Sequence, residues 1–367
     1  MRSLMYVKPH LLEWREVPAP TLHSGTDALV RPIAASTCDL DRRIVDGGTP
    51  MPAPFAIGHE AVGEITDVGD EAAAAGLRQG MRVVIPWHLS CGQCATCRAG
   101  LPANCTSTPH LAAFGTPLGG RHGGLFDDLV RVPYAAHNLV ALPDGVDPAT
   151  AASCSDNIVD AFGAVAPHLQ ARPGADVLVV GGPGRALGLF VVMFAAALTT
   201  GEVVYLDKDP DGVALAVRLG ATRTLCQDIP ERMEDRYPLT VDAAADPAGL
   251  ACALRSTAPG GVCSARSIYF TDVPLPYFDL YSGSVTLVTG LPQVTPHVPK
   301  VLDLIAAGAV DPDPVYSQGL DFDDAAEAIP RLRRKAVFVR STHQNATTTG
   351  ASGRIAQRSA RTRNNIP

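Results

Sequence analysis

From about residue 175 onward, short apolar runs alternate with longer helix-like runs, and this alternation constrains the fold more than any other feature. The strand-like runs DVLVVGG, EVVYLD and TVDAAAD are separated by RALGLFVVMFAAAL and GVALAVRLGA, whose lengths suit helices. Strands that alternate with helices of about ten residues form parallel βαβ units. The pattern predicts an α/β domain, with a doubly wound parallel sheet and helices on both faces.

The first 150 residues follow a different pattern of short, β-like runs that are broken by Gly and Pro. Runs such as EAVGEITDVG, MRVVIP and LVRVPYAAHNLVALP have the composition of strands. They predict an irregular, largely antiparallel barrel or sandwich. After residue 295, HVPKVLDLIAAG predicts a further helix and AVFVR a late strand.

A glycine-rich turn joins the first predicted strand of the α/β domain to its helix. In VLVVGGPGRALGL, Gly182, Gly184 and Gly188 would permit a tight turn and let backbone N–H groups approach a pyrophosphate. The spacing GxGxxxG is one residue longer than the usual fingerprint, so a glycine-rich turn without a ligand stays open as an alternative.

Asp207 lies at the end of VVYLD, about 20 residues after the last glycine, where nucleotide-binding domains carry an acidic residue. A carboxylate there accepts hydrogen bonds from both ribose hydroxyls and repels a 2′-phosphate. Lys208 weakens that preference, although Asp209 follows it. We therefore predict NAD, with NADP less favoured, bound by the three glycines, Asp207 and Lys208.

Four of the nine cysteines lie within residues 91–105, in the pattern C-x2-C-x2-C-x7-C. We call Cys91, Cys94, Cys97 and Cys105 the four-cysteine lobe. An iron–sulfur site usually ends in C-x3-C-P, whereas Cys105 is followed by Thr, and disulfides would be strained at these spacings. Four thiolates complete a tetrahedral zinc sphere, so we predict a structural zinc that binds no substrate.

The predicted compartment agrees with metal-bound cysteines. The opening MRSLMYVKPHLLEWREVPAP has no signal-peptide pattern, which predicts a cytoplasmic protein whose cysteines stay reduced. The net charge of −7 favours neither a nucleic-acid nor a membrane-surface partner. We expect a small-molecule alcohol or carbonyl substrate and a homodimer or homotetramer.

A catalytic zinc needs three protein ligands and one open position. Cys38 in ASTCDLD and His59 in GHE are two candidates, and SCSDNIVDAFGAV offers Cys154 or Asp156 as a third. Each has an ordinary alternative role, such as a buried thiol, a loop histidine or a helix cap.

The segments TCDLD, GHEAVGEITDVG, CGQCATCRAGLPANC, GGLFDDLVRVP and VVGGPGRALGL occur in the order that is typical of one family. Over about residues 1–340 the chain resembles the zinc-dependent alcohol dehydrogenases of the medium-chain dehydrogenase/reductase superfamily. The resemblance implies a GroES-like, mostly-β catalytic domain (1–152 and 293–340) that carries the zinc lobe. A Rossmann NAD-binding domain (153–292) is inserted between its two parts.

The resemblance also implies that Cys38 and His59 bind the catalytic zinc, with Glu60 as a nearby or exchangeable ligand. In the family the third ligand lies six residues before an aromatic residue that opens the next helix. Counting back from Phe162 gives Asp156, which we prefer to Cys154 as the ligand.

One departure from the family concerns the proton relay. The family usually has Ser or Thr two residues after the cysteine and often His three further on, where this chain has Leu40 and Arg43. Leucine cannot pass on a proton. NAD-linked alcohol oxidation is the leading hypothesis. A reductase of a specialised carbonyl, imine or activated alkene is the second, and a non-catalytic nucleotide- and zinc-binding protein is the third.

The last segment, 341–367, is polar, contains several arginines and has no acidic residue. Such a composition predicts a disordered tail.

Overall fold

The computed structural model describes residues 1–341, which form three β-sheets and twelve α-helices. Apart from Ser341, the predicted tail lies outside the described residues. The strands are β1 (Arg2–Lys8), β2 (Leu11–Glu16), β3 (Ala28–Ser36), β4 (Phe55–Ala56), β5 (Glu60–Val68), β6 (Arg82–Ile85), β7 (Val130–Val132), β8 (Val140–Ala141), β9 (Val177–Val180), β10 (Val203–Asp207), β11 (Arg223–Cys226), β12 (Tyr237–Asp242), β13 (Thr257–Ala265), β14 (Thr286–Thr289), β15 (Gly319–Asp321) and β16 (Val337–Val339).

The helices are α1 (Asp39–Val45), α2 (Asp70–Ala74), α3 (Ala95–Arg98), α4 (Ala135–Asn138), α5 (Pro148–Ala151), α6 (Asn157–Ala171), α7 (Leu187–Leu198), α8 (Pro210–Arg218), α9 (Pro247–Arg255), α10 (Tyr277–Gly283), α11 (Val298–Ala306) and α12 (Ala325–Ala328). Short 3-10 helices cover Pro102–Asn104, Ala152–Ser155, Asp313–Val315, Phe322–Asp324 and Ile329–Arg331. Within residues 1–341, none of the helices has both the length and the apolar character needed to span a bilayer.

The second half of the chain forms a six-stranded parallel sheet with the order β11-β10-β9-β12-β13-β14, as the strand–helix alternation predicts. All four residues of β9 are buried, as expected for a central strand that is covered on both faces. Helices α6 and α7 pack together, with the rings of Phe162 and Phe194 edge to face and 5.4 Å apart.

The other half is a seven-stranded sheet with the order β15-β16-β3-β5-β6-β8, in which β7 also pairs with β3. Its pairs are antiparallel except for β15 with β16. Strand β16 completes the sheet from the far end of the chain, since Val337 pairs with Ser36. A smaller antiparallel sheet, β2-β1-β4, lies beside it. Both chain ends therefore contribute to the β-rich half, while the domain bounds at 152/153 and 292/293 stay a prediction.

One predicted β run is wrong in part. LVRVPYAAHNLVALP forms two short strands, β7 and β8, separated by helix α4. The chain enters this helix through Tyr134, whose φ is +48°, a left-handed conformation that breaks an extended run.

Candidate active site

The four-cysteine lobe brings its sulfur atoms together. All four lie within 4.8 Å of one another, and the Cys94 and Cys105 sulfurs are 3.8 Å apart. A tetrahedral zinc with Zn–S bonds of about 2.3 Å holds its sulfurs about 3.8 Å apart. The nine cysteines of the chain are all free thiols. The geometry of the lobe fits zinc.

The charges in the lobe also fit a cation. Hydrogen bonds from the Thr96 hydroxyl and the Cys97 N–H lower the pKa of Cys94 to about 4. Burial, together with the Cys94 thiolate, raises the pKa of Cys97 to about 12. Thiols this close oppose one another's ionisation, so four thiolates require a metal ion to neutralise them.

A second group of ligand atoms joins residues that are far apart in sequence. Cys38 precedes α1, His59 precedes β5 and Asp156 precedes α6, and we call these residues the three-ligand site. Their ligand atoms lie within 4.8 Å of one another. Asp156 Oδ2 is 3.2 Å from Cys38 Sγ and 3.5 Å from His59 Nε2. Tetrahedral zinc places such sulfur, nitrogen and oxygen ligands about 3.3–3.7 Å apart.

Helix α1 holds Cys38 and orients His59 through one aspartate. The Cys38 N–H donates to Asp41 Oδ2 at 2.8 Å, and the Leu40 N–H donates to Cys38 Sγ at 3.4 Å. The other oxygen, Asp41 Oδ1, lies 3.4 Å from His59 Nδ1. A carboxylate beside the second ring nitrogen fixes the orientation of a metal-binding histidine. With Nδ1 beside Asp41, the other ring nitrogen of His59, Nε2, faces Cys38 and Asp156.

The Cys38 thiol of the three-ligand site is buried beside a carboxylate, which disfavours its ionisation. Burial and the Asp156 carboxylate raise the pKa of the Cys38 thiol well above its ordinary value. A thiolate therefore forms there only with a cation beside it, as in metal binding. Cys154, the alternative third ligand, is fully buried and lies outside the group of ligand atoms.

Glu60 belongs to a buried network next to the three-ligand site. Its Oε2 accepts a 2.5 Å hydrogen bond from Lys335 Nζ, and its Oε1 accepts from Ser153 Oγ at 2.9 Å and from the Asn157 N–H at 3.1 Å. Lys335 also donates to the Thr37 carbonyl. Burial, although opposed by Lys335, raises the pKa of Glu60 to about 7. An exchangeable metal contact by Glu60 stays a prediction.

A cavity of about 260 Å³ is lined by all three ligands and by Leu187, which begins α7, and Ala243 and Ala245, which follow β12 of the parallel sheet. The wall that the β-rich half contributes is largely apolar and includes Leu40, Met51, Trp87, Leu111, Phe114 and Leu118. On the opposite side, Arg266 lies 3.3 Å from the buried Asp160 carboxylate. Burial, partly offset by Arg266, raises the pKa of Asp160 to about 7.

The glycine turn between β9 and α7 leaves no room for side chains. A Cβ on Gly182 would come within 2.7 Å of the Ala244 carbonyl oxygen. Gly184 has a φ of +70°, and a Cβ there would collide with the Arg333 carbonyl. Gly188 lies in the first turn of α7. Glycine is therefore required at Gly182 and Gly184 by the close packing of backbone around the turn that leads into α7.

Asp207 is the last residue of β10, whose carboxyl end lies beside the carboxyl end of β9, where the glycine turn begins. Its Oδ2 accepts a 2.9 Å hydrogen bond from the Tyr205 hydroxyl, and its Oδ1 accepts from the Asp209 N–H at 3.0 Å. Burial raises the pKa of Asp207. Lys208 points elsewhere, with Nζ 3.9 Å from Asp228 Oδ1 on the surface.

Comparison with known proteins agrees with this architecture. The model of the "Alcohol dehydrogenase GroES-like domain" family matches residues 24–144. A "probable zinc-binding alcohol dehydrogenase" of Mycobacterium tuberculosis is 28% identical over 327 residues, which cover 87% of this chain and 82% of the relative. The solved structure of the alcohol dehydrogenase TADH from Thermus sp. ATN1 superimposes with a TM-score of 0.83 at 29% identity, covering 93% of this chain and 100% of that one.

Over most of its length the chain is similar to zinc-type alcohol dehydrogenases, which confirms the predicted resemblance to that family of the medium-chain dehydrogenase/reductase superfamily. The predicted fold, a GroES-like domain with a Rossmann domain, is confirmed. The predicted reaction class, an oxidoreductase acting on CH–OH groups, is confirmed with it.

Two contacts of this dehydrogenase do not follow from its motifs. Lys335 reaches Glu60 across 275 positions of sequence, and no motif includes it. Asp39, between the cysteine and leucine of TCDLD, accepts hydrogen bonds from the N–H groups of Ala186 and Leu187. Asp39 is an extra acidic residue without an assigned role in TCDLD, and it is the one sequence signal for the second contact.

Proposed function

We propose that this dehydrogenase transfers hydride between an alcohol and NAD, using a zinc held by the three-ligand site. The observation that carries the proposal is the cavity, because Cys38, His59 and Asp156 line it together with residues beside the glycine turn. A substrate there would meet the metal site and the nucleotide domain at once. Zinc at this position supplies a Lewis acid for the substrate oxygen.

The chain's own residues support that chemistry in distinct ways. Asp41 orients His59, and Lys335 balances the negative charge that Glu60 would add beside the metal site. Three protein ligands leave one of four tetrahedral positions for the substrate. The buried walls of the site keep bulk water away from the reacting atoms.

The four-cysteine lobe supports a second, structural zinc, so we propose two zinc ions per chain. The lobe offers four sulfur ligands, which fill the coordination sphere and leave no position for substrate. Its ion would stabilise a segment with little regular structure besides α3 and the short helix Pro102–Asn104.

We propose NAD as the preferred dinucleotide because Asp207 is the group that would meet the adenosine ribose. Its carboxylate ends β10 beside the glycine turn, where it can accept from ribose hydroxyls and would repel a 2′-phosphate. Lys208 does not offset this preference, because its amine pairs with Asp228.

The apolar wall of the cavity favours an alcohol with an uncharged, apolar substituent. Leu40 and Trp87 occupy that wall, and Leu40 lacks the hydroxyl that serves the family's proton relay at this position. The same substitution favours a second candidate activity. Reduction of a specialised carbonyl, imine or activated alkene depends less on a relay from the TCDLD segment.

For the assembly we propose a homodimer or homotetramer in the cytoplasm. Strand β14 is an edge of the parallel sheet, and the neighbouring helix α10 exposes Tyr277, Phe278 and Tyr281 to 71–76%. Exposed apolar side chains beside an open strand edge suit pairing with a second copy. The four clustered cysteines of the lobe suit metal binding in a reducing compartment better than disulfide formation.

A combined metal and substrate measurement tests the proposal. We expect two zinc ions per chain, tighter binding of NADH than NADPH, and faster turnover of benzyl alcohol than of L-threonine. Turnover confined to aldehydes, imines or activated alkenes would favour the reductase. Failure to bind either cofactor would refute the oxidoreductase mechanism.

A further inference from the structure

The carboxylate of Asp39 lies on the N-terminal end of helix α7. Asp39 Oδ1 is 3.1 Å from the Ala186 nitrogen, and Oδ2 is 3.2 Å from the same nitrogen and 3.3 Å from that of Leu187. Both N–H groups donate to this carboxylate, although 147 or more residues separate it from them in sequence. Asp39 is in the first turn of α1, on the other half of the molecule.

These N–H groups are the ones that a dinucleotide would use. They follow the glycine turn directly, and the first N–H groups of a helix have no partner within the helix. The positive end of the helix dipole attracts an anion there, which is how βαβ domains bind pyrophosphate. A carboxylate on the same donors imitates that pyrophosphate.

A second carboxylate accepts a hydrogen bond from another N–H group of the turn, that of Gly184. The Gly184 N–H donates to Asp209 Oδ2 at 3.4 Å, and the same oxygen accepts from Arg334 at 2.6 Å. The two aspartates differ in one respect. Asp209 has a cation beside it, whereas no Lys, Arg or His nitrogen among residues 1–341 lies within 4.0 Å of the Asp39 carboxylate. Lys335 acts on Asp39 electrostatically without forming an ion pair with it, so the Asp39 carboxylate lies on the turn with no cation in direct contact.

We propose that Asp39 is a built-in competitor for the pyrophosphate of the cofactor, so that it lowers the affinity for dinucleotides and leaves the adenosine contacts unaffected. The proposal rests on the nucleotide site proposed above. Binding of a dinucleotide requires the carboxylate to leave the Ala186 and Leu187 N–H groups, and the bound pyrophosphate then lies beside its negative charge. Two effects, lost hydrogen bonds and charge repulsion, act in the same direction.

The test measures binding, not turnover, with the full-length zinc-loaded protein. Dissociation constants for NADH and for adenosine are determined by calorimetry for wild type, Asp39→Asn and Asp39→Ala. We expect NADH to bind about tenfold more tightly to both variants, because each removes a charge beside a doubly charged group. Adenosine, which has no phosphate, should bind all three proteins with the same constant to within about twofold.

Asp211→Asn is the matched control. It removes one carboxylate near the same turn, since Asp211 lies 3.5 Å from Arg334, but its side chain is 84% exposed and does not touch the N–H groups of α7. Its NADH constant should stay at the wild-type value, and zinc content should be unchanged in every variant.

The possible failures are distinct. NADH binding that is unchanged or weaker in both Asp39 variants, with adenosine still bound, overturns the competitor role and leaves the nucleotide site intact. Absence of both NADH and adenosine binding in all four proteins overturns the nucleotide site and the competitor role together. An equal gain in Asp211→Asn would show that only net charge matters, which also overturns the role assigned to Asp39.

Discussion

The four-cysteine lobe and the three-ligand site are both sets of metal ligands, but they are built in opposite ways. The lobe takes four sulfurs from residues 91–105, and three of its cysteines are only partly buried. The three-ligand site takes sulfur, nitrogen and oxygen from three distant segments, and none of its residues is more than 8% exposed. The lobe fills a coordination sphere locally, whereas the three-ligand site leaves one position open and needs the whole fold to assemble it.

The difference teaches that a site with an open position needs more support than a closed one. Four thiolates neutralise and enclose their own ion. The buried charged groups in and beside the three-ligand site need neighbours of opposite charge. Asp41 lies beside His59, and Lys335 pairs with Glu60 next to the site. Substitutions that act on one site and leave the other unchanged can test this contrast.

Asp156→Ala should have the largest effect. It removes the one oxygen ligand of the three-ligand site, so zinc content should fall from two ions to one per chain and kcat/KM should fall by about a thousandfold or more. Binding of NADH, measured by fluorescence titration, should persist because the glycine turn is separate.

Cys154→Ser is the matched control for that change. Its sulfur lies outside the group of ligand atoms, so zinc content and kcat/KM should stay within about twofold of wild type. Loss of an ion in Cys154→Ser, with two ions retained in Asp156→Ala, would make Cys154 the third ligand.

Lys335→Met should have the next largest effect, on stability. The substitution leaves the Glu60 carboxyl buried without its cation, and breaking a buried pair from one side costs about 3–5 kcal/mol of unfolding free energy. Chemical denaturation measures this loss. We expect the proposed zinc of the lobe to remain, since none of the contacts of Lys335 involves the lobe. Lys335→Arg keeps the charge and should recover at least half of the loss; equal losses in the two variants would contradict a role for charge.

Cys97→Ser should have the smallest effect on chemistry. Loss of one sulfur opens the lobe, so we expect one zinc to be lost and Tm to fall by about 5–10 °C in calorimetry. The KM of the surviving activity should be unchanged, because the lobe leaves no position for substrate. A large rise in KM with an unchanged Tm would argue that the lobe acts on the substrate.

Much of the fold and of the two metal sites could be predicted from the sequence. The parallel sheet follows from the strand–helix alternation, and the convergence of the four cysteines follows from their short spacings. The resemblance to a family led to Asp156 rather than Cys154, and the structure places Asp156 with Cys38 and His59. The partners of Glu60 and Asp39 could not be predicted, because each contact joins segments more than 140 positions apart and depends on how the two halves pack.

The position of β16 has a consequence for synthesis of the chain. Its pairing with β3 joins Val337 to Ser36, and Lys335 enters the buried network only through this strand. At a typical rate of about 5–20 residues per second, a ribosome needs roughly 15–60 seconds to make the 300 residues between them. During that interval the β-rich half lacks an inner strand of its sheet and Glu60 lacks its counter-charge. Nascent chains therefore expose an open edge at β3, and the Rossmann half can fold before the half that begins the chain is complete.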